Sequence, residues 1–276
     1  MKVLDPWLDL LFPPTCELCG RRCEPNQPAC EACRPLDAPL RTPGLDRRCG
    51  RCARTLPEAI ANLGAAHATC APCRRGEAPA VDATVCLGSY RDPALRELLL
   101  RFKHAPRPAL ARPLGRALAA RLVARPAEHG TSAPGRPEGP NHPGDPDHPK
   151  SHNPEPWIVP IPLHGARRFD RGFDQAVLLA QAIVDAGFGE LGLALRRPSV
   201  APPQGSPFAR ERRSNVRGAF RVRRPWPKRL RGRGVWLVDD VGTTLSTASE
   251  AARKVRGSSP LFLGLALAAR ADPPGS

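Results

Sequence analysis

The sequence predicts an α/β fold, a mainly parallel sheet flanked by helices, preceded by a small N-terminal cysteine-rich zinc module. Three observations predict it. Four C-x-x-C pairs crowd the N-terminal part of the chain, ending at Cys73. Beyond them, short apolar runs of strand length alternate with stretches in helical period. One such run, Val235 to Val238, ends in two carboxylates and a hydroxyl-rich turn that opens a helix, which is where open α/β sheets bind ligands.

The cysteine pairs are Cys16 with Cys19, Cys30 with Cys33, Cys49 with Cys52, and Cys70 with Cys73. A C-x-x-C turn brings two thiolates to one side of a tight knuckle, and two knuckles complete the tetrahedral set that Zn²⁺ prefers. Sequential pairing gives one site from Cys16, Cys19, Cys30 and Cys33, and a second from Cys49, Cys52, Cys70 and Cys73. Gly20 and Gly50 stand where the knuckles need tight backbone. A redox C-x-x-C is the competing reading, but that motif occurs singly at a helix start, not four times in one short region. Sites made wholly of cysteine leave no open position for chemistry, so the module is structural. Cys23 is a spare, either a substitute ligand or a free thiol. Cys86, in the apolar run 83–87, reads as a buried core residue.

The remaining elements follow in order. Residues 81–90 read as a strand or hairpin. Residues 93–105 form a helix with Leu95, Leu98, Leu99 and Phe102 on one face, and 107–124 continue in helical period, with Pro113 as a kink or a start. Residues 126–156 carry proline every few positions and almost nothing apolar, which predicts a disordered insertion whose histidines (129, 142, 148, 152) are solvated. An apolar strand resumes at 157–162. A helix at 173–187 faces the core with Ala176, Leu179, Ala180 and Ile183 and stops at Gly187. A short strand at 218–222, the strand at 235–238, a helix from about 244 to 255 and a last strand at 261–268 complete the pattern. The module thus occupies 1–78 and the α/β domain 79–270, interrupted by the insertion.

Composition bounds the partners. The chain has 276 residues, 41% of them hydrophobic, which suffices for a folding core, and its 35 prolines and 24 glycines imply long loops. The formal charge of +16 predicts an anionic partner, nucleic acid foremost. Two four-thiolate zinc centres, each of net charge −2, lower that to about +12, so the protein stays basic. The alternative is a compositional habit, since Arg, Ala, Pro and Gly abound throughout. Aromatic residues make up only 5%, so contact with nucleic acid is expected through backbone phosphates, not base stacking. No stretch is apolar for long enough to span a bilayer, so no membrane insertion is expected. The leucine-rich start includes Asp5 and Asp9 and lacks a small-residue cleavage site, so it does not read as a signal peptide. A cytoplasmic protein is expected, in which paired cysteines bind metal instead of forming disulfides.

The segment 235–247 carries the chemistry. A buried strand delivers Asp239 and Asp240 to the carboxyl edge of the sheet, and two adjacent carboxylates suit the hydroxyls of a sugar diol. The helix that follows offers a phosphate its unpaired N–H groups and positive dipole, and Thr243, Thr244, Ser246 and Thr247 add hydroxyl donors. Taken alone, Asp-Asp and the threonines could simply cap a helix.

This segment resembles the phosphoribosyl pyrophosphate (PRPP) motif of type I phosphoribosyltransferases, and the surroundings resemble the ComF family of DNA-uptake (competence) proteins. The resemblance rests on the paired cysteines; on the run from Pro160 to His164; on Arg167, Arg168 and Arg171-Gly-Phe-Asp-Gln175; on Pro202-Pro-Gln204; and on the run from Arg210 to Phe220. It implies that Asp239 and Asp240 hold the ribose hydroxyls and act in catalysis. Thr243, Thr244 and Thr247 would hold the 5′-phosphate, while Arg167, Arg168 and Arg171 face the pyrophosphate with Mg²⁺. It also implies partners: PRPP or a nucleotide, single-stranded DNA and the DNA-uptake machinery.

Two positions depart from the family pattern. Leu245 stands where the family loop has glycine, and is expected to narrow or reshape the phosphate pocket. Asp174 stands where the family commonly has asparagine, and is expected to repel a pyrophosphate unless a metal or an arginine neutralises it. Three functions remain open: a DNA-uptake accessory that binds PRPP or a nucleotide, an active phosphoribosyltransferase with an unknown acceptor, and a zinc-stabilised nucleic-acid-binding scaffold with a degenerate pocket.

Overall fold

The structure, a computed structural model, describes residues 14–16, 18–24, 29–34, 40, 48–57, 68–104, 108–124, 154–163, 173–198 and 218–272. Among the described residues, seven strands are formed: β1 (Ala83–Ser89), β2 (Trp157–Pro160), β3 (Glu190–Leu191), β4 (Leu195–Arg196), β5 (Arg221–Val222), β6 (Gly234–Gly242) and β7 (Phe262–Arg270). The α-helices are α1 (Ala71–Arg74), α2 (Pro93–His104), α3 (Ala111–Ala124), α4 (Gln175–Asp185), α5 (Trp226–Leu230) and α6 (Ser246–Arg256). Five strands form one sheet in the order β1-β7-β6-β2-β3, every neighbouring pair parallel. Strands β4 and β5 make a separate antiparallel ribbon.

A parallel sheet must be covered on both faces, and β7 is accordingly buried along its whole length. The two-residue period of the strands separates two apolar layers. Ala266 and Ala268 of β7 and Trp236 and Val238 of β6 meet Leu98 and Phe102 of α2, Leu118 of α3 and Ile183 of α4. On the other face, Leu263, Leu265 and Leu267 of β7 with Val235 and Leu237 of β6 meet Ala251 and Val255 of α6. Close approach explains two glycines. A Cβ on Gly264 would lie 2.3 Å from the ring of Trp236, its partner across the ladder, and a Cβ on Gly115 would lie 2.3 Å from that of Ala182, so α3 and α4 could not touch.

The cysteine knuckles are built into this core. Cys16, Leu18 and Cys33 pack in the layer of α2, and Cys49, Cys52, Leu56 and Cys70 in the layer of α6. The outermost strand β1 would present unpaired backbone groups, and the second knuckle covers it: the Thr84 N–H donates to the Gly50 carbonyl at 2.9 Å and the Thr84 hydroxyl to the Arg51 carbonyl at 2.7 Å.

Several boundaries differ from expectation for identifiable reasons. Residues 83–89 are a single strand, not a hairpin. Pro113 falls in the first turn of α3, where an amide has no intrahelical acceptor, so it marks a start and not a kink. Strand β6 runs on through both carboxylates to Gly242, because β7 continues beside it to Arg270. Helix α6 starts at Ser246, not 244, since Leu245 is left-handed. The brief elements β3, β4 and α5 have no periodicity to read. Residues 126–153 of the expected insertion lie outside the described residues.

Candidate functional site

Strand β6 lies between β7 and β2, and its carboxyl end presents the two expected aspartates. Asp239 is half-buried and Asp240 buried. Their oxygens engage the strand's own backbone: Asp239 Oδ1 accepts from the Asp240 N–H at 2.9 Å, and Asp240 Oδ1 from the Val241 N–H at 2.5 Å. The second oxygen of Asp240 meets a cation, Lys103 Nζ of α2 at 3.1 Å, with both side chains largely buried. Among the described residues, Asp239 has no such partner. Burial first, and the adjoining Asp240 charge second, push its carboxyl well above the usual range; Asp174 adds to the effect and Lys103 opposes it. The pair is therefore one neutralised carboxylate beside one that resists ionisation.

After Gly242 the chain turns into α6 through Thr243 and Thr244, both exposed, with Thr247 half-buried in the first turn. The Thr244 and Ser246 hydroxyls are 2.9 Å apart. Leu245 is the N-cap and contributes no side-chain acceptor; the Ser246 N–H donates instead to the Thr244 hydroxyl at 3.4 Å. Its φ of 60° is the left-handed conformation that favours glycine. The backbone thus takes a form that glycine adopts without strain, while the leucine side chain, 5% exposed, packs among Leu267 and the apolar face of α6.

Asp174 is the N-cap of α4. One oxygen accepts from the amides of Ala176 (3.1 Å) and Val177 (3.4 Å), the other from Leu163 (3.3 Å), so it joins the chain leaving β2 to the start of a helix. Aspartate and asparagine both cap well. The departure from asparagine thus keeps a capping residue, and among the described residues backbone amides engage its carboxylate. Arg167, Arg168 and Arg171, His164, and the motif residues 202–204 and 210–217 lie outside the described residues. The last motif's end is in view: the Gly218 N–H donates to Glu250 Oε1 at 2.7 Å. Although burial opposes it, that amide together with Arg253 and Lys254 holds the Glu250 carboxyl below its ordinary range.

The eight paired cysteines gather as expected. Cys16, Cys19, Cys30 and Cys33 form one cluster and Cys49, Cys52, Cys70 and Cys73 another, the four sulfurs of each lying within 4.8 Å of one another. Tetrahedral Zn–S bonds of about 2.3 Å require sulfurs about 3.8 Å apart. Cys19 and Cys30, and likewise Cys52 and Cys70, are 3.6 Å apart. The thiols also compete for ionisation. Hydrogen bonding from Cys52 lowers Cys49 to about 4, while burial and neighbouring sulfurs raise Cys33 and Cys73 to about 12. A divalent cation resolves that conflict, so both donor sets fit Zn²⁺. Cys86 is buried, as expected.

Three charged residues at this edge have no motif in the sequence: the half-buried Lys103 and the buried Glu250 and Arg270. Lys103 could have been sought as the counter-charge that two adjacent carboxylates require. Arg270 lies at the end of an apolar strand and is only 3% exposed.

No protein-family model matches the chain. Among curated proteins, Competence protein F of Haemophilus influenzae is 31% identical over 212 residues, covering 75% of this chain and 78% of that protein. The DNA utilization protein YhgH of Salmonella typhimurium is 28% identical over 213 residues, 74% of this chain and 82% of that protein. Its counterpart in Escherichia coli O157:H7 is 28% identical over 215 residues, 76% and 83% of the two chains.

Proposed function

The chain belongs to the ComF family, and from that premise we propose that it binds PRPP or a nucleotide at the carboxyl edge of its sheet and acts in DNA uptake during natural transformation. The observation that carries the binding is the placement of Asp239 and Asp240 at the end of an interior parallel strand, one loop before the N-terminus of α6. The aspartates accept hydrogen bonds from the ribose hydroxyls. Thr243, Thr244 and Thr247, with the first-turn amides, take the 5′-phosphate. Arg167, Arg168 and Arg171 face the pyrophosphate, and Mg²⁺ supplies charge neutralisation there when bound.

The uptake role rests on the names of the relatives, one a competence protein and two DNA utilization proteins. The charge of +16 suits a polyanionic partner, single-stranded DNA held through its phosphates, at a cytoplasmic station of the uptake machinery. Among the described residues, no helix is long and apolar enough to cross a membrane. The two zinc centres are structural in this reading, each a closed four-thiolate site.

One observation favours a working transferase over a degenerate scaffold: at φ 60° Leu245 retains the loop conformation of a glycine. If the site turns over, an acceptor bonds to C1 of the ribose as pyrophosphate leaves it, and the aspartate pair faces the positive charge that builds on the sugar. Calorimetric titration with PRPP and Mg²⁺ tests the proposal, comparing the native protein with the Asp239→Asn, Asp240→Asn double variant. Binding that the variant loses supports the pocket; no binding by folded, zinc-loaded native protein leaves the scaffold.

A further inference from the structure

Arg270 is a cation taken almost wholly out of water, and a buried guanidinium is costly unless its donors are used. Among the described residues, its hydrogen-bond partners are all backbone carbonyls. Nε donates to Cys52 at 3.0 Å, and Nη1 donates to Gly242 at 2.9 Å and to Thr243 and Ala271. Cys52 is a ligand of the second cysteine cluster, and Gly242 and Thr243 begin the loop that leads into α6. One side chain therefore joins a metal-ligating knuckle to the phosphate loop.

Both elements line one cleft of about 400 Å³, Cys52 and Cys73 from the knuckle and Thr244 and Ser246 from the loop, and Arg270 lines it with them. Other bonds hold the knuckle to the sheet, from Thr84 to Gly50 and Arg51 and from Thr55 to Asp272. None of these reaches the loop. The loop needs such an anchor, because its N-cap has no side-chain acceptor and its turn passes through a left-handed leucine.

We infer that Arg270 is the positioning residue of the phosphate loop, hanging it from the second cysteine knuckle, so that metal bound in that knuckle sets the order of the loop without touching the ligand. The consequence for ligand affinity rests on the PRPP reading above; the ordering of the loop does not.

The test is amide hydrogen exchange on the full, zinc-loaded chain, with PRPP titration alongside. Two variants are compared with the native protein: Arg270→Lys, whose single ammonium cannot span both sets of carbonyls, and Cys73→Ser, which removes a half-exposed ligand of the second cluster. Both are expected to speed exchange of amides 243–248 about tenfold or more relative to those of α3 and α4. Arg270→Lys should do so with both zinc ions retained by metal analysis, and should weaken PRPP binding about tenfold if the native protein binds it. Unchanged exchange at 243–248 in Arg270→Lys, or in Cys73→Ser shown to have lost one zinc, overturns the inference. Failure of the native protein to bind PRPP overturns only the ligand assignment, because the exchange result decides the coupling. If Cys73→Ser loosens α3 and α4 equally, the knuckle stabilises the whole domain and the specific link to the loop is rejected.

Discussion

Lys103 Nζ stands 3.1 Å from Asp240 Oδ2, in a pair whose side chains are only 16% and 12% exposed. The lysine also lies 6.0 Å from the centre of the Tyr90 ring. It is the cation that lets two adjacent aspartates end one strand. Removing it leaves a buried carboxylate beside another with no compensation, and breaking such a pair costs about 3–5 kcal/mol. Lys103→Met is therefore expected to unfold at markedly lower urea concentration. Adding Asp240→Asn should restore much of the loss; a double variant no more stable than the single would show that the two residues do not act as a pair.

Asp239 predicts a pH dependence. Its folded carboxyl titrates above its unfolded value of 3.8, so across that interval the native state binds more protons than the unfolded state. Stability must then fall as pH rises from the unfolded value through the raised one. Asp239→Asn removes this dependence, so its stability relative to the native protein should increase as pH rises from the unfolded value through the raised one. Chemical denaturation at several pH values measures the difference, and a constant difference would mean the carboxyl is not perturbed. The same substitution should abolish PRPP binding, so stability and function would move in opposite directions.

Leu245 combines a buried side chain with a left-handed backbone. Truncating a buried leucine costs about 2–5 kcal/mol, whereas the left-handed conformation penalises any residue bearing a Cβ by about 1–2 kcal/mol. Both Leu245→Ala and Leu245→Gly should lose stability, but the glycine variant should be the more stable of the two by about 1 kcal/mol, the reverse of the order in an ordinary helix. Equal stabilities would mean that the turn relaxes when the side chain is removed.

Much of this site is legible in the sequence because its signals are local. The C-x-x-C spacing shows the two metal sets, and the apolar run ending in Asp239 and Asp240 shows where the sheet edge lies. What stays hidden is set by contacts between distant residues. Lys103 meets Asp240 only because α2 packs over β6, and Arg270 reaches Cys52 across 218 positions of chain. The left-handed turn at Leu245 depends on burial in the layer of α6, which a residue of that type does not announce. Asp174 likewise has a role that its charge does not announce: its oxygens accept from three backbone amides and cap α4.

The two cysteine clusters should differ in what their metal stabilises. Three of the four ligands in the second cluster are buried, and its knuckle shares the apolar layer of α6 and covers the edge of β1. In the first cluster, Cys19 and Cys30 are half-exposed. Binding of metal by the native fold stabilises it by mass action, and the effect reaches only what the site is packed against. Cys70→Ser, which removes a buried ligand of the second set, is therefore expected to lower the thermal midpoint of the whole sheet. Cys19→Ser is expected to release one zinc with a smaller shift, and chelator should strip the first site before the second. Zinc analysis paired with calorimetric unfolding checks this. Equal shifts from the two substitutions would show that both knuckles support the sheet alike, and that the edge contacts of Thr84 carry no special share of the stability.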